Sequence, residues 1–277
     1  MKTLVFLVVQ KNIMSRLKNL FQHKKQNVLN VYCTAGYPTL ESTVEVMQAL
    51  QHNGADLIEL GMPYSDPLAD GPIIQASSSK ALENGMTIEV LFQQLKNIRS
   101  KSPSFGGIGE ALPVVLMGYM NPVMQFGFEK FCAKAAAVGI DGLILPDLPE
   151  YEFENEYREI LQRYELDFIF LVTPETSEER VKKLDSLSSG FLYAVSSSAT
   201  TGANTDFDAV EKYLQRLQGY QLKNPILVGF GIKDKTTFDA ACKYSNGAII
   251  GSAYIKALEE SKDVEETTKQ FLSSIIK

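Results

Sequence analysis

Residues 55–72 read ADLIELGMPYSDPLADGP. Side chains alternate along the first seven residues, so Leu57 and Glu59 share one face while Ile58 and Leu60 share the other. Apolar residues on both faces mark a strand covered on both sides, as in a parallel sheet clothed by helices. If Ile58 and Leu60 pack against those helices, Glu59 points inward, toward the mouth of a closed sheet. The loop that follows adds Asp66 and Asp70 and is stiffened by Pro63, Pro67 and Pro72, and no Lys, Arg or His occurs between residues 59 and 72.

Seven further segments repeat this pattern: VLNVYCTA (28–35), LPVVLMGY (112–119), IDGLILPD (140–147), LDFIFLVT (166–173), GFLYAVSS (190–197), PILVGFG (225–231) and NGAIIGS (246–252). Helical spacing separates them, as in ESTVEVMQALQHNG (41–54), closed by Gly54, and TSEERVKKLDSL (176–187), which opens on a capping residue followed by acids. Eight strands, each followed by a helix, predict an α/β fold: a (β/α)8 barrel of the TIM type in a single domain. A doubly wound sheet would require a Gly-rich dinucleotide turn after an early strand, and the chain has none. The start, MSRLKNLF from Met14, reads as a short amphipathic helix preceding the first strand. Residues 1–13 carry the apolar run LVFLVV without a small-residue cleavage site, so they read as an extension or over-long start outside a barrel that spans 14–277.

The 277 residues are 45% hydrophobic with a net charge of −6, which excludes a disordered chain and argues against a nucleic-acid surface. No segment approaches the roughly 18 apolar residues of a membrane span. Cys33, Cys132 and Cys242 lie far apart, with no CxxC and two histidines in the whole chain. Neither a disulfide framework nor a zinc site follows, and the pattern suits a reducing cytoplasm.

In a barrel of this type the chemistry sits at the carboxyl ends of the strands. Since no strand core contains a Lys or Arg, Glu59 has no obvious salt-bridge partner, and its pKa is expected to rise toward neutrality, as a general acid/base requires. Asp66 before Pro67 and Asp70 before Gly71-Pro72 can each organise a turn or serve a site, and spacing does not choose between them. On the far side, GFGI (229–232), GS (251–252) and SSSATTGAN (196–204) place glycines on loops after consecutive strands, where backbone amides and helix N-termini can hold a phosphate. Tyr32, Tyr119 and Tyr193 fall at strand ends, either as pocket walls or as ordinary core. The composite is a phosphorylated, partly apolar substrate, with proton transfer and C–C or C–O rearrangement at the acidic end.

ELGMPYSDPLADGPIIQ, NVYCTAGYP, MGYMNPV, GLILPDLP, SATTG, GFGI and GAIIGSA, in this order over residues 14 to 277, resemble the signatures of the tryptophan synthase α subunit family. The resemblance implies a cofactor-independent lyase that cleaves indole-3-glycerol phosphate to indole and glyceraldehyde 3-phosphate by a retro-aldol reaction. It places the family's catalytic glutamate on Glu59, its catalytic aspartate on Asp70 and its strand-6 tyrosine on Tyr193. Phosphate contacts map to Gly202, Gly231, Gly251 and Ser252, and the indole pocket to Tyr32, Tyr119 and Ile144. Thr201 matches a threonine that closes toward the aspartate, and Asp66 matches a contact to the β subunit of an α2β2 heterotetramer. The implied pyridoxal phosphate belongs to that β partner, which takes up the indole for L-tryptophan synthesis. Some members carry an Arg where this chain has Ser197. A stand-alone indole-releasing lyase and a non-catalytic barrel that activates a β partner are the alternatives, and intact Glu59 and Asp70 argue against the second.

Overall fold

The computed structural model describes residues 15–99, 112–195, 207–229 and 231–277. Among them nine parallel strands form one sheet: β1 Val28–Thr34, β2 Leu57–Gly61, β3 Val114–Met117, β4 Gly142–Ile144, β5 Asp167–Phe168, β6 Leu171–Val172, β7 Leu192–Val195, β8 Ile226–Gly229 and β9 Gly247–Ile250. Their order is β5-β4-β3-β2-β1-β9-β8-β7-β6. Helices follow the strands, as the alternation in the sequence predicts. Every residue of β1 and β2 is buried, with Leu57, Ile58 and Leu60 at 0%, 1% and 0% exposure. Burying each such side chain contributes about 1.5–3 kcal/mol, so the strands are held by both faces at once.

The nine strands correct the expectation of eight in one place. The sequence predicts a single strand over 166–173, whereas two short pieces occupy it. Asp167 and Phe168 pair with β4, and Leu171 and Val172 pair with β7. Between them the bonding changes sides. The Ile169 N–H donates to Leu143 O at 3.0 Å, while the Phe170 carbonyl accepts from the Tyr193 N–H at 3.0 Å. Hydroxyls replace ladder carbonyls here: Ser189 Oγ accepts the Phe168 N–H at 3.0 Å and Ser188 Oγ accepts the Phe170 N–H at 3.1 Å. Both edges of the sheet therefore lie on one extended segment, and the sheet meets itself as a TIM barrel.

The amino end of the barrel is closed by the helix Arg16–His23, capped by the Ser15 hydroxyl. Leu17 is 0% exposed and packs beside Gly190, just ahead of β7. Ser15 Oγ donates to Asp167 at 2.7 Å, and Arg16 pairs with Asp141 at 2.6 Å. Asp141 also meets Arg99 at 2.8 Å and accepts the Val114 N–H at 2.8 Å. These partners sit at the starts of β3, β4 and β5, so one helix and one carboxylate tie the strand beginnings together. The three cysteines are free and buried. No helix among the described residues is long and apolar enough to cross a membrane.

Candidate active site

The opposite end of the barrel holds a cavity of about 1120 Å³, walled by Tyr32, Glu59, Asp70, Tyr193, Gly231, Gly251 and Ser252 among others. That volume accommodates a ligand larger than a single ring. The register sets the acidic side, since Tyr32 of β1 lies opposite Glu59 of β2, which lies opposite Val115 of β3. Alternation from Tyr32 puts Asn30 on the same inward face. Two glycines make room for the two inward tyrosines. A Cβ at Gly61 would stand 2.1 Å from the Tyr32 hydroxyl oxygen, and one at Gly229 would stand 2.7 Å from that of Tyr193. Gly229, which reads in the sequence as a phosphate-loop glycine, thus also shapes the aromatic wall.

Glu59 is 1% exposed, and Asn30 Nδ2 donates to its Oε2 at 2.9 Å. Burial pushes its carboxyl up to about 8, the Asn30 hydrogen bond pulls it back and the negative charge of Asp70 adds to the rise. The rise expected from the missing cation is therefore present. Its cause is desolvation, and among the described residues the side chain that hydrogen-bonds Glu59 is a neutral amide.

The loop after β2 gives Asp70 a place both in a turn and on the cavity wall. The Asp70 N–H donates to Pro67 O at 3.0 Å, so its backbone forms a turn, while its side chain lines the cavity. Tyr119 donates its hydroxyl hydrogen to Asp70 Oδ2 at 2.9 Å and accepts the Ala69 N–H at 3.0 Å. Burial lifts the Asp70 carboxyl to about 6 against the pull of the Tyr119 hydrogen bond. Asp66 does not join Asp70. It is exposed, accepts the Ser65 hydroxyl at 2.5 Å and lies outside the cavity wall, next to Leu68 at 91% exposure.

Across the cavity, Gly231 adopts φ 34°, in the left-handed region that favours glycine. Gly251 caps the helix Ser252–Glu259, so Ser252 stands at a helix N-terminus facing the cavity. Amides there and the helix dipole suit an anion. The helix after β8 begins at Lys235 behind an Asp234 cap. Gly202, Thr201 and Ser197 lie outside the described residues.

Ile144 is 0% exposed and lies opposite Met117 in the register of β3 and β4, beside that residue of the cavity wall. Tyr119 stands behind Asp70 rather than on the wall, its ring 5.3 Å from that of Tyr64. Sequence reasoning missed Asn30, Lys233 and Lys256. The two lysines line the same cavity as Gly231 and Gly251 and bring positive charge to it. The clue to Asn30 was its parity with Tyr32 within an otherwise apolar strand.

The comparisons agree on one family. A family model described as tryptophan synthase alpha chain matches residues 17–276. The chain is 48% identical over 254 residues to the tryptophan synthase alpha chain of Bacteroides thetaiotaomicron, covering 91% of this chain and 96% of that one. It is 51% identical over 249 residues to that of Flavobacterium johnsoniae, covering 90% and 95%. Among solved structures, the tryptophan synthase subunit alpha of Legionella pneumophila superposes with a TM-score of 0.83 at 32% identity, over 95% of this chain and 97% of that one. That of Pyrococcus furiosus superposes at 0.81 with 33% identity, over 91% and 99%. The chain belongs to the tryptophan synthase alpha chain family.

Proposed function

We propose that this chain cleaves indole-3-glycerol phosphate to indole and glyceraldehyde 3-phosphate, with Glu59 as the acid/base and Asp70 as the partner of the indole nitrogen. The observation that carries the reading is the pairing of a buried Glu59 with a carboxyl near 8 and a lower-titrating Asp70 in one cavity whose far wall is glycine, lysine and a helix N-terminus. The substrate phosphate lies at Gly231, Gly251 and Ser252, with Gly202 and Thr201 as further contacts inferred from the family pattern. The indole ring lies toward Tyr32, Glu59 and Asp70, and Tyr193 borders the glycerol portion.

Glu59 is mostly protonated at neutral pH, so it first gives its proton to indole C3. The ring becomes an indoleninium whose N–H donates to the ionised Asp70, which stabilises the developing positive charge. Glu59, now a carboxylate, takes the proton of the hydroxyl on the carbon attached to C3. That oxygen closes to a carbonyl, the C–C bond breaks and its electron pair returns to the indole ring. One group with a pKa near the working pH gives and recovers a single proton, and no electrons leave the substrate. No cofactor takes part in this scheme. Pyridoxal phosphate belongs to the β partner, which receives the indole in an α2β2 assembly, and the same proposal places the protein in the cytoplasm. Exposed Asp66 and Leu68 support a protein contact at the lip of the cavity.

The test is indole release from indole-3-glycerol phosphate, measured with and without the β subunit of the same organism. Weak activity that rises with the β subunit and disappears in Glu59→Gln supports the proposal. Indole release that needs no partner would favour a stand-alone lyase, and none under either condition would reject the substrate.

A further inference from the structure

We propose that Asn30 is a positioning residue for Glu59, holding its carboxyl in both protonation states from inside the barrel. The inference rests on the reading of Glu59 as acid/base. Asn30 is the polar member of β1 that lies deepest below the cavity, 0% exposed, in a strand whose other inward positions are Val28, Tyr32 and Thr34. A buried amide in an apolar interior is costly unless its groups are bonded. Its Nδ2 is accounted for by Glu59 Oε2 at 2.9 Å. Its Oδ1 is buried and has no partner among the described residues.

The unpartnered oxygen fits the proton cycle. When Glu59 is ionised, the amide nitrogen donates to Oε2. When Glu59 is protonated, a half-turn of the amide presents Oδ1 to the Oε2–H. An amide can serve both states because it carries a donor and an acceptor at equivalent positions. A lysine or arginine here would hold Glu59 ionised and remove it as an acid, and a leucine would leave its charged form without a donor. The other titratable groups whose charge bears on Glu59, or on which its charge bears, are Asp70 from the loop, Tyr32 and Cys33 from β1 and Tyr193 from β7. Burial raises the two phenols and the thiol above their ordinary values. They stay neutral while Glu59 titrates, and Asp70 at about 6 ionises before it. Among the described residues, the Asn30 hydrogen bond is what holds down the proton affinity of Glu59.

Two measurements on the full chain test this. Difference infrared spectroscopy follows the Glu59 carboxyl, identified by its loss in Glu59→Gln, in wild type and Asn30→Leu. The midpoint should rise by about one pH unit in the variant, because a hydrogen bond to the charged carboxylate is worth more than one to the neutral acid and both are lost. The acid limb of the kcat profile should move up with it, with KM little changed. An unmoved midpoint in a folded Asn30→Leu would overturn the proposal. If that variant does not fold, 15N-asparagine labelling of the wild type decides. One side-chain amide should titrate with the Glu59 midpoint and cease to do so in Glu59→Gln, and the absence of any such amide would reject the coupling. Indole release that survives Glu59→Gln would instead remove the functional reading while leaving the titration result intact.

Discussion

The two ends of the barrel each bury carboxylates, and they treat them in opposite ways. At the amino end Asp141 lies between Arg16 and Arg99 and accepts a backbone N–H. Burial raises its carboxyl, and both guanidiniums pull it back. Burial also lowers Arg99 to about 10, where it is still charged at neutral pH. This cluster is a clasp in which two guanidiniums face one buried carboxyl. At the carboxyl end the side-chain hydrogen-bond donors to Glu59 and Asp70 among the described residues are an amide and a phenol. Burial there acts almost unopposed and brings both carboxyls to between about 6 and 8. The same physics of desolvation yields a structural pair where cations are supplied and a reactive one where they are withheld.

The contrast can be broken first at its reactive end. Glu59→Gln keeps the shape and removes the proton, so indole release should fall by about 10²–10⁴, the usual worth of general acid–base catalysis, with the circular dichroism spectrum unchanged. At the other end, Arg99→Met should cost roughly 2–3 kcal/mol in denaturant unfolding, below the full penalty for a broken buried pair because Arg16 still faces Asp141. The kcat of the folded fraction should be close to normal, since the clasp does no chemistry.

Tyr119→Phe sharpens the comparison within the active end. It deletes the 2.9 Å donor to Asp70 and so raises the Asp70 carboxyl above about 6. If Asp70 acts as an anion, as proposed, the acid limb of the pH–rate profile should move upward and kcat at pH 7 should drop by a few-fold. The smallest effect is expected from Lys233→Met. This exposed lysine reaches a dianionic phosphate through solvent, so KM should rise by a few-fold at low salt and by less at high salt, with kcat unchanged.

Much of this was legible in the sequence, for reasons that also explain what was hidden. Glu59 could be placed because alternation along ADLIELG is strict and the strand is short. Asp70 could be placed only as one of two candidates. Turn chemistry fits Asp66 and Asp70 equally, and the turn alone decides which side chain faces in. The break near Ile169 was invisible, since it depends on hydroxyls from Ser188 and Ser189, some twenty residues away, that replace ladder carbonyls. Tyr119 looked like a wall residue because it ends a strand. Its place behind Asp70 is set by the loop that folds over it. Asn30 was overlooked because an asparagine within an apolar run reads as an exception to the pattern, and only its partner gives it meaning.

The central claim is that the structure leaves Glu59 without a cation so that it titrates near neutrality. The most direct test is the difference in melting temperature between Glu59→Gln and wild type from pH 4 to 9. A carboxyl raised from its ordinary 4.5 to about 8 favours the folded state only while it stays protonated. Wild type should therefore lose ground to the glutamine variant progressively from about pH 4.5 to 8, by at most a few kcal/mol, and no further above pH 8. A difference that stays flat across this range would mean that Glu59 ionises normally, and would contradict the account.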